Sequence, residues 1–331
     1  MASCSSGVNT DKSGKMLRGE ATELQEQGFQ NFYDAIAERD QNVQSLMVVQ
    51  HGKVIAEKWM NGGEENTPHV LHSVSKTFTS LAVGFAINEG LVSLDDKLVD
   101  IFPDKLPEEQ SDNLKAITVE SLLTMSCGHY PDPSGVTLWK EDEDTQLDWV
   151  EYFLSVPVIY EPGTFFCYNS IGTYMLSAIV QKATGEKIVD YLQPRLFDPL
   201  SIEHPLWKLS PQDICCGGWG LYLKTEDLAK TGQCILQGGK WNGEQVIPAD
   251  WVQAMTTKHI DNSNHGGTID WSQGYCYQMW RCTHNAVRAD GAAGQYILII
   301  PEKDAVVAIT AELGDMQAEL DTVWDFIYPV L

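Results

Sequence analysis

The chain has 331 residues, 43% of them hydrophobic and 21% charged, enough to bury a large core in one big domain or two interleaved lobes. Its 22 Lys and Arg stand against 46 Asp and Glu, a formal net charge of −24, so a nucleic-acid backbone or an anionic lipid surface would be repelled over most of the protein. No stretch reaches the roughly 18–20 apolar residues that a transmembrane helix needs, and acidic runs such as Glu141 to Thr145 read as a solvated face.

Residues 1–18 read as a polar, disordered tether. Within it, Ala2-Ser3 before Cys4 and the Gly/Ser-rich stretch that follows resemble the end of a bacterial lipoprotein signal. That reading puts a lipid anchor at Cys4 and the protein on the cell envelope; an unanchored N-terminus on a cytoplasmic protein is the alternative. The eight cysteines lack the paired spacing of a zinc site, and a chain this long does not depend on disulfide staples. Most are expected to act as small buried hydrophobes.

The apolar spacing of Leu24, Phe29, Phe32 and Ile36 predicts a helix of about 20 residues ahead of the first strand. Two β-rich runs then flank His51-Gly52, a hairpin signal. From Ser73 to about Pro199 the pattern is largely helical, with Gly/Pro-rich connections such as residues 128–135. Ile171, Met175, Leu176, Ile179 and Val180 define one helix, stopped by Gly185. A Gly-rich strand then leads to a helix capped at Thr225. Runs at 296–300 and 305–310 flank the turn Pro301 to Asp304, and a last amphipathic helix spans about 316–328.

Hairpins at both chain ends, each beside a helix, imply an α/β (α+β) fold. Its antiparallel sheet is flanked by N- and C-terminal helices and interrupted by a large, mainly helical lobe. The expected division is a single catalytic domain over 19–331, with the sheet lobe at about 19–70 and 215–331 and the helical lobe at about 71–214.

The stretch after Ser73 is apolar on nearly every face, with Phe78, Leu81, Val83, Phe85 and Ile87, so this helix is expected to be central and buried. Its N-terminus is then the part open to a site. Ser73 falls in the first turn, where backbone N–H groups and the helix dipole favour a developing negative charge. Lys76 follows at i+3, on the same face. A desolvated lysine there has a lowered pKa and can take the serine proton. Taken alone, the pair also reads as an N-cap serine with a solvated lysine.

Ser-x-x-Lys opening a buried helix resembles the signature of the penicillin-recognising serine enzymes, and over about residues 45–312 the chain is similar to their class C branch. These β-lactamase-like hydrolases include esterases, D-amino-acid peptidases, oligo-amide hydrolases and acyltransferases. Their second motif, Tyr-x-Asn before a helix, is matched by Tyr168-Asn169-Ser170, with Ser170 in place of the asparagine. The resemblance implies that the Tyr168 hydroxyl relays a proton to the leaving group. A tyrosine packed at a helix start is the other reading.

The third motif departs further, because Gly291-Ala292-Ala293-Gly294-Gln295 stands where the family carries a Lys or His before Thr/Ser-Gly. That form is similar to the 6-aminohexanoate-dimer hydrolase subgroup. By the resemblance, the backbone N–H groups of Ser73 and Ala292 form an oxyanion hole, and the family's usual cation for a substrate carboxylate is absent. Arg288 and His284 are candidates to replace it. Ser170, Gly291, Gln295, Trp219 and Arg288 are the substrate-binding candidates, and Tyr222, Trp271, Tyr277 and Trp280 are further aromatics that either line a pocket or belong to the core.

The eight histidines show no metal-ligand spacing and no phosphate loop appears, so no cofactor is expected. The reading is a serine hydrolase that takes a small-molecule ester or amide through an acyl-enzyme on Ser73 and is a poor β-lactamase. An acyltransferase using an alcohol acceptor is the near alternative, and an inactive envelope binding or sensing module is the alternative of another class.

Overall fold

In a computed structural model of the chain, residues 7–136 and 147–331 are described; Cys4 and the acidic run at 141–145 lie outside them. The predicted first helix forms as α1 (Glu23–Glu38), opened by a capping box between Thr22 and Gln25. The hairpin follows as β1 (Val43–Gln50) and β2 (Lys53–Trp59). Its two-residue turn puts both His51 (φ 52°) and Gly52 (φ 76°) in the left-handed region, the pairing that matches the right-handed twist of the strands.

The chain then leaves the sheet. It runs through the buried helix α2 (Ser75–Asn88), a series of short helices, and α3 (Ser170–Thr184), which Gly185 ends with φ 77°. Helix α4 (Thr225–Leu236) brings it back against the sheet, which resumes with β3 (Trp280–Arg281), β4 (Val287–Gly291), β5 (Gln295–Ile300) and β6 (Ala305–Ala311). The sheet order is β2-β1-β6-β5-β4-β3, antiparallel throughout. Helix α5 (Met316–Thr322) continues through a π-turn and a 3-10 turn to Val330.

Alternation along the strands builds two apolar layers. Leu46, Val48, Leu298, Val307 and Ile309 face Phe29, Phe32 and Ile36 of α1 and Leu320, Val323 and Ile327 near the C-terminus. Met47, Val49, Ile297, Ile299, Val306 and Ala308 face the other way, toward Phe78 and Leu81 of α2 and Leu228 and Ile235 of α4. Residues 75–86 of α2 are all buried, which is why its pattern is apolar all round. No helix among the described residues is long and apolar enough to cross a membrane.

Two local expectations are corrected. Residues 7–18 do not hang free: Leu17 and Gly19 hydrogen-bond with Val54 at 2.9 and 2.8 Å, and Arg18 pairs with Glu57 and Glu226 at 2.7 Å each. The outer edge of β2 offers unpaired backbone groups, and this segment covers them. Thr225 is not the cap of α4. Lys224 holds that position, the Asp227 carboxylate accepts its N–H at 3.2 Å, and the buried Thr225 hydroxyl bonds to Ser45 Oγ at 2.6 Å. The seven described cysteines are all free and, Cys167 apart, buried.

Candidate active site

A short extended piece, His69–Val70, delivers the chain to a single 3-10 turn, His72–Val74, that runs without a break into α2. His72 takes φ 46°, a left-handed conformation uncommon for a residue with a Cβ, and this sharp turn sets Ser73 just ahead of the helix. No side chain caps either the turn or α2, so the Ser73 hydroxyl is not used as an N-cap.

Lys76 is 1% exposed, and its Nζ has three partners: Ser73 Oγ at 2.9 Å, Ser170 Oγ at 2.9 Å and the Gly218 carbonyl at 2.7 Å. Three partners saturate an ammonium, whereas a neutral amine keeps a lone pair and can accept a proton from one of the hydroxyls. Burial disfavours the charged form and brings Lys76 down to about 7, against the opposing pull of Asp132 and Asp290. Both forms are therefore populated near neutral pH.

Asn169 caps α3, its side chain accepting the Gly172 N–H at 2.9 Å, which leaves Ser170 as the first helical residue with its hydroxyl on Lys76. One residue earlier, burial, and next the Asp290 charge, hold the Tyr168 phenol well above its usual range, against a smaller opposing pull from the Ser73 hydroxyl. The Tyr168 ring is fixed by cations and rings in series. Lys76 Nζ lies 4.9 Å from its centroid, Trp280 stacks on it at 5.3 Å, and the Arg288 guanidinium lies 5.5 Å from Trp280 and 4.2 Å from Trp271. Phe166 and Tyr275, both buried, complete the aromatic wall around Trp280.

The turn between β4 and β5 meets Ser73 from the other side. A Cβ on Gly291 would fall 2.3 Å from the Leu71 carbonyl and 3.2 Å from the Val74 nitrogen, so only glycine lets the strand press this close to the Ser73 turn. Ala292 follows, exposed at the surface of the site, and Ala293 (φ 64°) and Gly294 (φ 91°) close the turn in left-handed conformations.

Three substrate-binding candidates do not face the site with their side chains. Gln295 is 3% exposed and donates to the Ala311 carbonyl at 2.5 Å, tying the turn to β6. Trp219 is buried and stacks on Trp149 at 5.7 Å, while its neighbour Gly218 supplies the carbonyl that Lys76 uses. Arg288 is fully buried, with Nε on Asp290 Oδ2 at 2.8 Å and Nη1 on the Asp270 carbonyl at 2.6 Å. His284 stacks on Trp324 at 4.6 Å, beside the C-terminal helix. Of the further aromatics Trp280 alone joins the Tyr168 stack directly; Tyr277 donates to Glu120 and Tyr222 belongs to a two-residue strand.

Asp132 and Asp290, the two carboxylates whose charges reach Lys76, were not expected from the sequence. Asp290 had a signal: it alternates with Arg288 in an otherwise apolar strand, a pattern that places two charges on one buried face.

The Beta-lactamase family model matches residues 32–327. The chain belongs to the Beta-lactamase family. Two curated relatives are similar to it. The 6-aminohexanoate-dimer hydrolase of Paenarthrobacter ureafaciens is 24% identical over 282 residues, which is 80% of this chain and 71% of that one. The lovastatin esterase of Penicillium rubens is 30% identical over 216 residues, 57% of this chain and 53% of that one, so the match spans about half of the esterase. Among solved structures, a putative 6-aminohexanoate-dimer hydrolase from Bacillus anthracis superposes with a TM-score of 0.76 at 18% identity, covering 98% of this chain and 88% of that one. The fold is thus that of the Beta-lactamase family across almost the whole chain, and the curated relatives are hydrolases by name.

Proposed function

We propose that the protein is a serine hydrolase of the class C-like branch, acting on ester or amide bonds through an acyl-enzyme on Ser73. The observation that carries this reading is a nearly fully buried Lys76 amine, held at about 7 and hydrogen-bonded 2.9 Å from the Ser73 hydroxyl. No demand of the fold explains burying a lysine against two serine hydroxyls and one carbonyl.

Neutral Lys76 takes the Ser73 proton as Oγ attacks the acyl carbonyl, and the C–O bond to the enzyme forms as the carbonyl oxygen takes up negative charge. The backbone N–H groups of Ser73 and Ala292 stabilise that oxygen, an interaction worth roughly 2.7–4 kcal/mol per donor in other serine enzymes. Collapse expels the alcohol or amine, which takes its proton through Tyr168 from Lys76. Water then adds to the acyl-enzyme by the same steps in reverse order, releasing the acid and restoring Ser73. Ser170 gives the Lys76 amine a second hydroxyl partner at 2.9 Å and keeps it in place through the cycle.

The names of the two curated relatives, an esterase and a hydrolase of an aminohexanoate dimer, support carbonyl chemistry of this kind. A second reading, transfer of the acyl group to an alcohol, uses the same acyl-enzyme on Ser73 and differs only in the acceptor. The test is turnover of a p-nitrophenyl ester beside a chromogenic cephalosporin, by wild type and Ser73→Ala. Ser73-dependent ester hydrolysis with slow cephalosporin turnover is expected; ester turnover that survives Ser73→Ala contradicts the proposal.

A further inference from the structure

We propose that Asp132 makes the site selective for cationic substrates, esters or amides that carry an alkylammonium group near the scissile bond. This rests on the reading of Ser73 as the nucleophile.

Hydrogen bonds fix the place of Asp132. Its Oδ1 accepts the Ser134 N–H at 2.9 Å and the Ser134 hydroxyl at 2.5 Å. The Ser134 oxygen accepts the Ile171 N–H at 3.0 Å and lies 3.4 Å from Asn169 Oδ1, so it is fastened on both sides of Ser170, whose hydroxyl meets Lys76 Nζ. The segments that lead to Asp132 and Tyr168 also run together: the Gly128 carbonyl accepts the Tyr160 N–H at 3.0 Å, and the Met125 carbonyl the Cys167 N–H at 2.8 Å. Asp132 therefore stands at the end of α3 that carries Tyr168 and Ser170.

Asp132 is exposed, although protein surrounds it closely enough for burial to raise its proton affinity against the two Ser134 bonds, the combination shown by a side chain in the wall of a cleft. No lysine, arginine or histidine among the described residues pairs with it, and its Oδ2 accepts no hydrogen bond from them. Lys76 is not available as a partner, because its amine is spent on Ser73, Ser170 and Gly218, and Arg288 is committed to Asp290. An open carboxylate in such a cleft, on a chain of net charge −24, attracts a positive group and repels a negative one. The same segment carries aromatic surface. Tyr130, two residues before Asp132, is 55% exposed and meets edge-on the stacked rings of Tyr160 and Phe165, whose centroids are 4.0 Å apart. Ring faces of this kind hold the alkyl shell of an ammonium.

The test uses two pairs of isosteric esters. p-Nitrophenyl 4-(trimethylammonio)butyrate against p-nitrophenyl 5,5-dimethylhexanoate puts the charge in the acyl part; butyrylcholine against 3,3-dimethylbutyl butyrate puts it in the alcohol. Wild type is compared with Asp132→Asn and, should that variant disturb the loop, Asp132→Ser; both keep a side-chain acceptor for the Ser134 N–H. In at least one pair, wild type is expected to favour the cationic ester by about tenfold or more in kcat/KM, and each variant to lower that ratio by about tenfold. The pair that responds tells which part of the substrate bears the cation. The charge of the rest of the chain is the same in the variants, so a ratio that falls reports the local carboxylate. No preference for the cation in either pair, or a preference that survives in a variant, would overturn the role given to Asp132. Absence of any Ser73-dependent turnover of the neutral esters would instead remove the hydrolase reading itself.

Discussion

The rings of Tyr168 and Trp280 stack at 5.3 Å between centroids with 30° between their planes, and the Lys76 amine lies 4.9 Å from the same tyrosine ring. A tyrosine ring held this way has little freedom to swing. Trp280→Ala is therefore expected to lower kcat by roughly tenfold or more with a smaller change in KM, because misplacing a reacting group costs rate before it costs binding. Trp280→Phe, which restores a stacking face, is expected to recover much of that loss. Wild-type kcat in the alanine variant would show that the stack does not position Tyr168.

Lys76 carries a pH signature. Its proton affinity sits at about 7, chiefly through burial, and the amine must be neutral to accept the Ser73 proton. Acylation is thus expected to rise with pH through about 7, and Lys76→Ala and Tyr168→Phe each to slow it by roughly 10²–10⁴-fold. Pre-steady-state release of p-nitrophenol across pH 5–9 measures this. A flat profile in wild type would separate Lys76 from the proton transfer.

The same burial has a cost in stability. In the unfolded chain the lysine titrates near its ordinary value of about 10.5, and in the folded chain near 7, so the folded form binds fewer protons between those limits. The penalty is complete below pH 7 and fades as pH rises toward 10.5. Lys76→Met is expected to abolish activity yet raise stability by roughly 1–3 kcal/mol at pH 6, and by less at pH 9. Denaturant melts at the two pH values test it; a destabilised Met variant at pH 6 would contradict the account.

Gly291 is the point where the strand meets the Ser73 turn, with 2.3 Å between an added Cβ and the Leu71 carbonyl. Gly291→Ala must shift the strand or the Leu71 carbonyl, and, with the Ala292 N–H in the role proposed for it, a loss of about 10²-fold in kcat on a neutral ester is expected. Near wild-type kcat would mean that the Ala292 N–H takes no part.

Local rules made much of this fold readable. The left-handed pair His51-Gly52 marks its hairpin, strand alternation marks the two faces of β5 and β6, and the three-residue step from Ser73 to Lys76 puts both on one side of a helix whatever surrounds it. What escaped depends on contacts far along the chain. Thr225 has the side chain of a cap, but its hydroxyl is drawn to Ser45, 180 residues away. Gln295 has the polarity of a ligand-binding residue, but the Ala311 carbonyl across the sheet claims it. Arg288 looked free to meet a substrate carboxylate, and Asp290, two residues on, had already taken it.

Acyl transfer is tested by competition. A hydrophobic alcohol is expected to divert part of the acyl group from water and yield a new ester, while a polar alcohol of equal concentration yields less. Chromatographic product ratios decide it, and equal diversion by both alcohols would show that the site does not select an apolar acceptor.

The central claim is that Ser73 becomes acylated because Lys76 takes its proton. The direct measurement is intact-protein mass spectrometry with peptide mapping after treatment with a fluorophosphonate, on wild type, Ser73→Ala and Lys76→Ala. A single phosphonyl adduct mapped to Ser73 in wild type, none in Ser73→Ala and greatly slowed labelling in Lys76→Ala is the expected result. An unlabelled wild type, or an adduct on another residue that persists in Ser73→Ala, would contradict it.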